Sequence, residues 1–392
     1  MDFSRLQKLM DHLAREKSPG CTVRVTLEGK EVFSGSAGFA NLENRIPFCG
    51  DELFHMYSCS KVATVTAGVQ LLERGLVKLE DPLWAFIPEF RQMYVRESDG
   101  TLREAQKDIT IGHLFTMTAG FTYDLDSPGF RKARTLTGGK MDTVVAIRCM
   151  AEDPLTFEPG EHWQYSLCHD VLAAVIEVAS GMKFRDYMQQ NIFDPLDMAD
   201  TVYHHTPDTL RRTAPQYLRI TRSSPEYSEE EAPRCCPSPE GYYRNTGKTV
   251  AYTLGEEYDS GGAGIITSAA DYTKFLTALA NRGLGLTGER ILRPESVELL
   301  RTNRLNPTQL KDFAWDQYRG CGYGLGVWTM MDPEKSGLCC PVGGFGWSGA
   351  AGSTCIIDPD GGLAVFFAQH CLNPGEEYYQ PLLRDAVYRC LH

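Results

Sequence analysis

The chain has 392 residues, 42% hydrophobic and 23% charged, a globular composition that excludes disordered, collagen-like and coiled-coil chains. Lys and Arg number 39 against 51 Asp and Glu, so the formal charge is −12 and neither nucleic acid nor an anionic membrane is an expected partner. No apolar run approaches the roughly 18 residues of a membrane span.

The N-terminal segment spaces Phe3, Leu6, Met10 and Leu13 between charges. That spacing predicts an amphipathic surface helix rather than the unbroken apolar core of a signal peptide, and with it a cytoplasmic protein. The 13 cysteines are odd in number and form no C-x-x-C pair, so reduced and mostly buried thiols are expected. Residues 21–36 alternate apolar and polar about Glu28-Gly29, a hairpin signal. Residues 58–74 read as a helix stopped by Gly75. From about 80 to 200 the pattern is mostly helical with Pro- and Gly-rich joints, and residues 169–180 form its strongly apolar helix, ended by Gly181.

Residues 203–260 carry Ser-Ser-Pro, Glu-Glu-Glu and Pro-Ser-Pro among scattered aromatics. With little periodicity, they read as a long lid-like excursion. Ser268-Ala-Ala-Asp271 opens a helix that runs to Asn281 and is closed by Gly283. Residues 322–329, 352–357 and 363–368 read as strands, the last two joined by the turn Asp358-Pro-Asp-Gly-Gly362. A final helix spans about 379–391.

Strands at both ends and helices between them imply an α/β (α+β) architecture. An antiparallel sheet is built from the two chain ends and flanked by helices, with a mostly helical region inserted. The expected organisation is one domain over 1–392, with the sheet part at about 1–75 and 285–392. The helical part is then about 76–284 and contains the excursion at 203–260.

No G-x-x-x-x-G-K-S/T phosphate loop and no His-Glu-x-x-His occur, and His204-His205 cannot aim both rings from one helix face. Neither a metal nor a cofactor is therefore expected. Gly322-Tyr-Gly324-Leu-Gly326 lacks the dinucleotide spacing, and Gly346-Trp-Ser348-Gly-Ala350 lacks the last glycine of a nucleophile elbow. Ser-x-x-Lys occurs twice, at Ser58–Lys61 and Ser180–Lys183. With 20 serines and 13 lysines chance supplies roughly 0.7 matches, so context has to separate them. Ser180 ends a helix just before Gly181. Ser58 opens one, which puts Lys61 on the same face one turn on. A serine hydroxyl needs a base to become a nucleophile, and lysine serves when its surroundings favour the neutral amine. The helix N-terminus adds N–H groups for a developing oxyanion.

Further segments join this one in chain order. Phe54-His-Met-Tyr-Ser58-Cys-Ser-Lys61, Ile109 to Gly120, Trp163-Gln-Tyr165-Ser166, Gly261 to Tyr272, Tyr323-Gly-Leu-Gly326 and Gly346-Trp347-Ser348-Gly349 resemble successive landmarks of the serine β-lactamase and penicillin-binding-protein-like family. The nearest part of that family is the class C β-lactamases and related esterases, and the resemblance spans roughly residues 5–390. It implies Ser58 as the acylated nucleophile and Lys61 as its base. Tyr165 matches the tyrosine of the Tyr-x-Asn element and would share or relay the proton. Trp347-Ser348-Gly349 would occupy the Lys-Thr-Gly position on the strand lining the site and contact substrate. The N–H groups of Ser58 and Ala350 would form the oxyanion hole.

Two departures shape the expected substrate. Leu167 stands where many members have Asn, and Trp347 stands where β-lactamases and peptidases have a cation for a substrate carboxylate. An indole offers an apolar face and one donor instead, as in the β-lactamase-like esterases. The resulting expectation is a serine acyl hydrolase on small neutral esters, its partner a small-molecule ester or amide. A β-lactamase, a D-amino-acid peptidase or an acyltransferase are the alternatives on this fold. A dead binding module is the alternative from another class, and it would need no set of Ser58, Lys61 and Tyr165. Contacts that choose acyl group and alcohol are expected in 121–140 and 203–260.

Overall fold

The two ends of the chain meet in one antiparallel sheet. A computed structural model describes residues 1–250 and 254–391. The N-terminal strands are β1 (Gly20–Leu27), β2 (Lys30–Asn41) and β3 (Ile46–Pro47). The C-terminal strands are β4 (Cys321–Tyr323), β5 (Trp328–Met330), β6 (Phe345–Ser348), β7 (Thr354–Asp358) and β8 (Leu363–Gln369). Their spatial order is β4-β5-β6-β7-β8-β1-β2-β3, so the two ends join where β8 pairs with β1, Val25 opposite Val365. The β1–β2 turn has positive φ at both Glu28 and Gly29, the backbone that lets a two-residue turn follow the strand twist.

Every residue of β8 is buried, because helices cover both faces of the sheet. Phe366 packs on Tyr272 of one helix, at 4.9 Å between ring centroids, and Phe367 on Tyr379 of another, at 5.8 Å. Successive strand residues point to opposite faces, so these two helices lie on opposite sides. In chain order the helices that matter are α1 (Ser4–Glu16), α2 (Ser60–Glu73), α3 (Cys168–Ser180), α4 (Ala269–Ala280) and α5 (Glu376–Leu391). Tyr272 lies in α4 and Tyr379 in α5. The α2 helix is apolar nearly all round and buried over most of its length, as a helix wedged between layers must be.

Three sequence expectations change. Residues 203–260 hold a short helix, Pro207–Arg212, and the strands Gln216–Thr221, Cys236–Ser238 and Gly241–Gly247, which join Cys371–Leu372 in a second sheet. The strands are short, and Tyr217 finds its parallel partner at Cys371, so no local pattern announced them. Residues 322–329 are a hairpin rather than one strand. Gly324 N donates to Val327 O at 2.8 Å and Gly326 turns the chain at φ +80°. The α4 helix, placed with the helical part, lies on the sheet, where Thr277 meets Thr26 at 2.9 Å. Its start is as the sequence indicated, with Ser268 Oγ accepting from Asp271 N. The 13 cysteines form no disulfide, and eight are buried.

Burial pushes the imidazoles of His55 and His113 down to about 4 and, with help from the Lys61 cation, that of His169 to about 3. An unfolded histidine takes a proton near pH 6.5, so as pH falls below that value the unfolded chain binds protons that the folded chain refuses. This contribution to stability is present above about pH 6.5 and is lost as pH falls towards 4. Asp170 and Glu376, whose carboxyls burial pushes up, act the other way. The sharper test is therefore His113→Gln. The urea midpoint should fall less between pH 7 and pH 5 in this variant than in the unaltered chain, and equal slopes would remove the assignment.

Candidate active site

The segment leading into α2 is pinned by three hydrogen bonds. Met56 N donates to Ile265 O at 2.9 Å, Ile265 N donates to Ser60 Oγ at 3.0 Å, and Tyr272 Oη donates to Cys59 O at 2.7 Å. Tyr57–Cys59 forms one tight helical turn that runs into α2. Tyr57 has φ +45°, a left-handed conformation that is costly for a bulky residue, and the turn delivers Ser58 to a half-buried position. The Tyr57 hydroxyl donates to Gln216 of the second sheet, which holds the strained residue in place.

Ser58 Oγ receives two hydrogen bonds, from Tyr165 Oη at 2.5 Å and from Lys61 Nζ at 3.2 Å. Lys61 is fully buried, and its Nζ also donates to Gly262 O at 2.8 Å and to Tyr123 Oη at 3.4 Å. Tyr123 stacks on Tyr165 with centroids 5.5 Å apart, and the ammonium lies 4.8 Å from the Tyr165 ring centre. Tyr165 sits on the loop before α3. Backbone bonds from Gln164 N to Met117 O and from Leu167 N to Thr122 O clamp that loop, and Leu167 is buried. The other Ser-x-x-Lys builds no such group. Lys183 pairs with Asp142 and Glu177, and Ser180 Oγ accepts from Met182 N.

The strand next to the turn ends in Trp347 and Ser348 and is followed by Gly349. Trp347 is 1% exposed. It stacks on Tyr165, at 5.8 Å, and on Tyr318, at 5.4 Å, with Tyr323 edge-on at 5.3 Å. Ser348 Oγ is engaged by Tyr318 Oη at 2.8 Å. Gly349 has a steric reason: a Cβ there would lie 2.2 Å from Met56 O, so only glycine lets the end of β6 run against the turn that carries Ser58. Half-buried Ala350 follows in a tight reversal where Gly352 N donates to Gly349 O at 2.8 Å.

Several residues at this site went unrecognised in the sequence. Tyr123 lies in an aperiodic segment, and Gly262 sits in a glycine run noted only as a landmark. Half-buried Trp315 stands edge-on to Tyr165 at 5.5 Å. Asp170, in the first turn of α3, is buried with Oδ1 accepting from Ser260 Oγ at 2.7 Å and Tyr258 Oη at 3.1 Å. Burial pushes its carboxyl up, while Lys61 and those two hydroxyls pull it down. Away from this site, Cys49, Asp51 and Glu52 bring ligand atoms within 4.8 Å of one another, but the Glu52 carboxylate is occupied by the Cys49 and Gly50 N–H groups.

Gly349→Ala tests the close approach. The added methyl should push β6 away from Met56, lowering the Tm by several degrees, as about 1–3 kcal/mol of overpacking would. An unchanged Tm would show that the contact has room to spare.

A match to the family described as Beta-lactamase spans residues 6–388. The esterase EstB of Burkholderia gladioli is 29% identical over 406 aligned residues, which cover 98% of this chain and 95% of EstB. The acyltransferase calJ of Penicillium decumbens is 26% identical, with 91% of this chain and 84% of calJ covered. Among solved structures, EstCE1, a hydrolase with promiscuous acyltransferase activity, superposes with a TM-score of 0.76 at 24% identity, covering 98% of this chain and 97% of EstCE1. The fold is accordingly of the β-lactamase/transpeptidase type.

Proposed function

This chain belongs to the beta-lactamase family, and from that premise we propose that it is a serine acyl hydrolase of the esterase kind, working through Ser58, Lys61 and Tyr165. The observation that carries this reading is the double hold on Ser58 Oγ by Lys61 Nζ and Tyr165 Oη. A nucleophile within hydrogen-bond reach of two proton-transfer groups is the arrangement that acyl transfer requires.

In the proposed cycle Ser58 Oγ attacks the ester carbonyl carbon and its proton passes to Lys61 or Tyr165. The oxyanion rests on the N–H groups of Ser58 and Ala350. The tetrahedral species collapses with the C–O bond to the alcohol breaking, and the leaving oxygen takes the proton back. Water then adds to the acyl-enzyme by the same route, releasing the acid and restoring Ser58. Resolution by an alcohol in place of water would make the chain an acyltransferase, a second reading favoured by the similarity to calJ.

Neutral esters fit better than β-lactams. At the strand position where a cation would meet a β-lactam carboxylate, this chain has the buried Trp347. Loss of that charge-assisted bond is worth about 1.5–3 kcal/mol, or roughly a ten- to hundredfold penalty in kcat/KM. The expected result is clear hydrolysis of neutral p-nitrophenyl esters beside weak or no turnover of nitrocefin. Efficient nitrocefin hydrolysis with poor esterase activity would overturn the substrate class.

The residue roles are tested separately. Ser58→Ala should abolish both turnover and labelling by a fluorophosphonate probe in a chain that still folds. Ser180→Ala should retain most activity. Lys61→Arg keeps the charge but cannot release a proton near neutrality, so it should fail nearly as badly as Lys61→Ala. Tyr165→Phe should lose roughly a hundredfold or more. A Lys61→Arg enzyme with near-normal kcat would remove lysine from the proton path.

A further inference from the structure

Lys61 presents three donors to three acceptors, Ser58 Oγ, Gly262 O and Tyr123 Oη, the full complement of an ammonium. A buried ammonium needs a counter-charge as well as acceptors. Asp170 is placed to supply it. A Cβ built on Gly262 would lie 2.4 Å from Asp170 Oδ2 and 3.1 Å from Lys61 Nζ, so the two charged groups face each other across the bare α-carbon of that glycine. The segment leading to Gly262 also holds the carboxylate, through Tyr258 Oη and Ser260 Oγ, and Ser260 Oγ in turn accepts from Ala263 N at 3.0 Å. In the first turn of α3, Asp170 also has the favourable end of the helix dipole.

We propose that Asp170 is a positioning residue of this site, a fixed anion that acts through Lys61: it keeps the resting lysine charged and aimed at Ser58, and it sets how readily the Lys61–Tyr165 pair gives up a proton. The inference rests on the Ser58-Lys61-Tyr165 reading above. The other titratable groups that face Asp170 are Tyr258 on the same segment, Tyr203, and the α3 neighbours His169 and Cys168. His169 is held neutral by burial, and the two tyrosines and the thiol are pushed up and stay neutral too. Within this set the charge is assigned to Lys61 and to Asp170, whose carboxyl burial pushes up while Lys61 and the two hydroxyls pull it down. A buried anion opposes proton loss from its neighbours, so the sign of the effect is the same whether Lys61 or Tyr165 takes the Ser58 proton.

The test is the pH profile of kcat/KM for a p-nitrophenyl ester in the full chain. Asp170→Asn keeps the shape and removes the charge. Its acid-side midpoint should move to lower pH by about two to three units, the scale for unit charges roughly 4–5.5 Å apart at an effective dielectric near 20. Tyr258→Phe removes one bond to the carboxylate and should shift the midpoint in the same direction by less, and it decides alone if Asp170→Asn does not fold. Variants that melt and label with fluorophosphonate like the unaltered chain, yet keep its midpoint or raise it, would overturn the role of Asp170. Failure of the underlying reading has a different signature, because Ser58→Ala would then still label.

Discussion

The architecture around the site answers to the burial of one ammonium group. Lys61 has no exposed surface, and taking such a cation out of water costs several kcal/mol unless every donor is met and the charge is balanced. The acceptors come from three remote stretches of chain: Ser58 ahead of α2, Tyr123 after the helix Ile111–Thr116, and Gly262 ahead of α4. A fourth stretch, the start of α3, brings Asp170. The inserted region and the sheet-borne elements are thus tied together at one nitrogen atom. The same requirement explains Gly262, since any side chain there would occupy the space between the two charges.

The parts of the fold that could be read in the sequence are those whose pattern and partner are both local. The β1–β2 hairpin announces itself by alternation and by Glu28-Gly29, and α4 by its Ser268 cap. The second sheet is hidden because its strands are short, separated by Ser-, Pro- and Glu-rich turns, and completed by Cys371–Leu372 more than a hundred residues away. At the site, the spacing of Ser58 and Lys61 and the Tyr165 landmark marked the three groups that meet at Ser58 Oγ. Asp170 was invisible because an acid in the first turn of a helix is commonplace, and only tertiary structure shows that it is buried beside a lysine. Alternation could place Trp347 on a strand but not say what would cover it.

What covers it defines the character of the site. Phe313, Trp315 and Tyr318 come from a segment some thirty residues upstream and pack on Trp347, and Tyr165 stacks on it too. Each aromatic pair adds about 0.5–1.5 kcal/mol beyond area burial, so the indole is held firmly and holds Tyr165 in turn. A residue at the position of a substrate-binding cation here serves as the backing of the site tyrosine. The polar chemistry is left concentrated at Ser58, with half-buried Trp315 as the aromatic surface beside it.

The segment 203–260 also supports the site. Gln216, on one of its strands, holds the Tyr57 hydroxyl, and its Lys248 carbonyl engages His55 Nε2 at 2.8 Å. Its end passes beneath Lys61, where Tyr258 and Ser260 hold Asp170. Both contacts act on groups that aim or charge the catalytic side chains in the proposed mechanism. Variation in these strands would therefore change how tightly the Tyr57 backbone is held at φ +45°, and so where Ser58 Oγ lies between Tyr165 and Lys61.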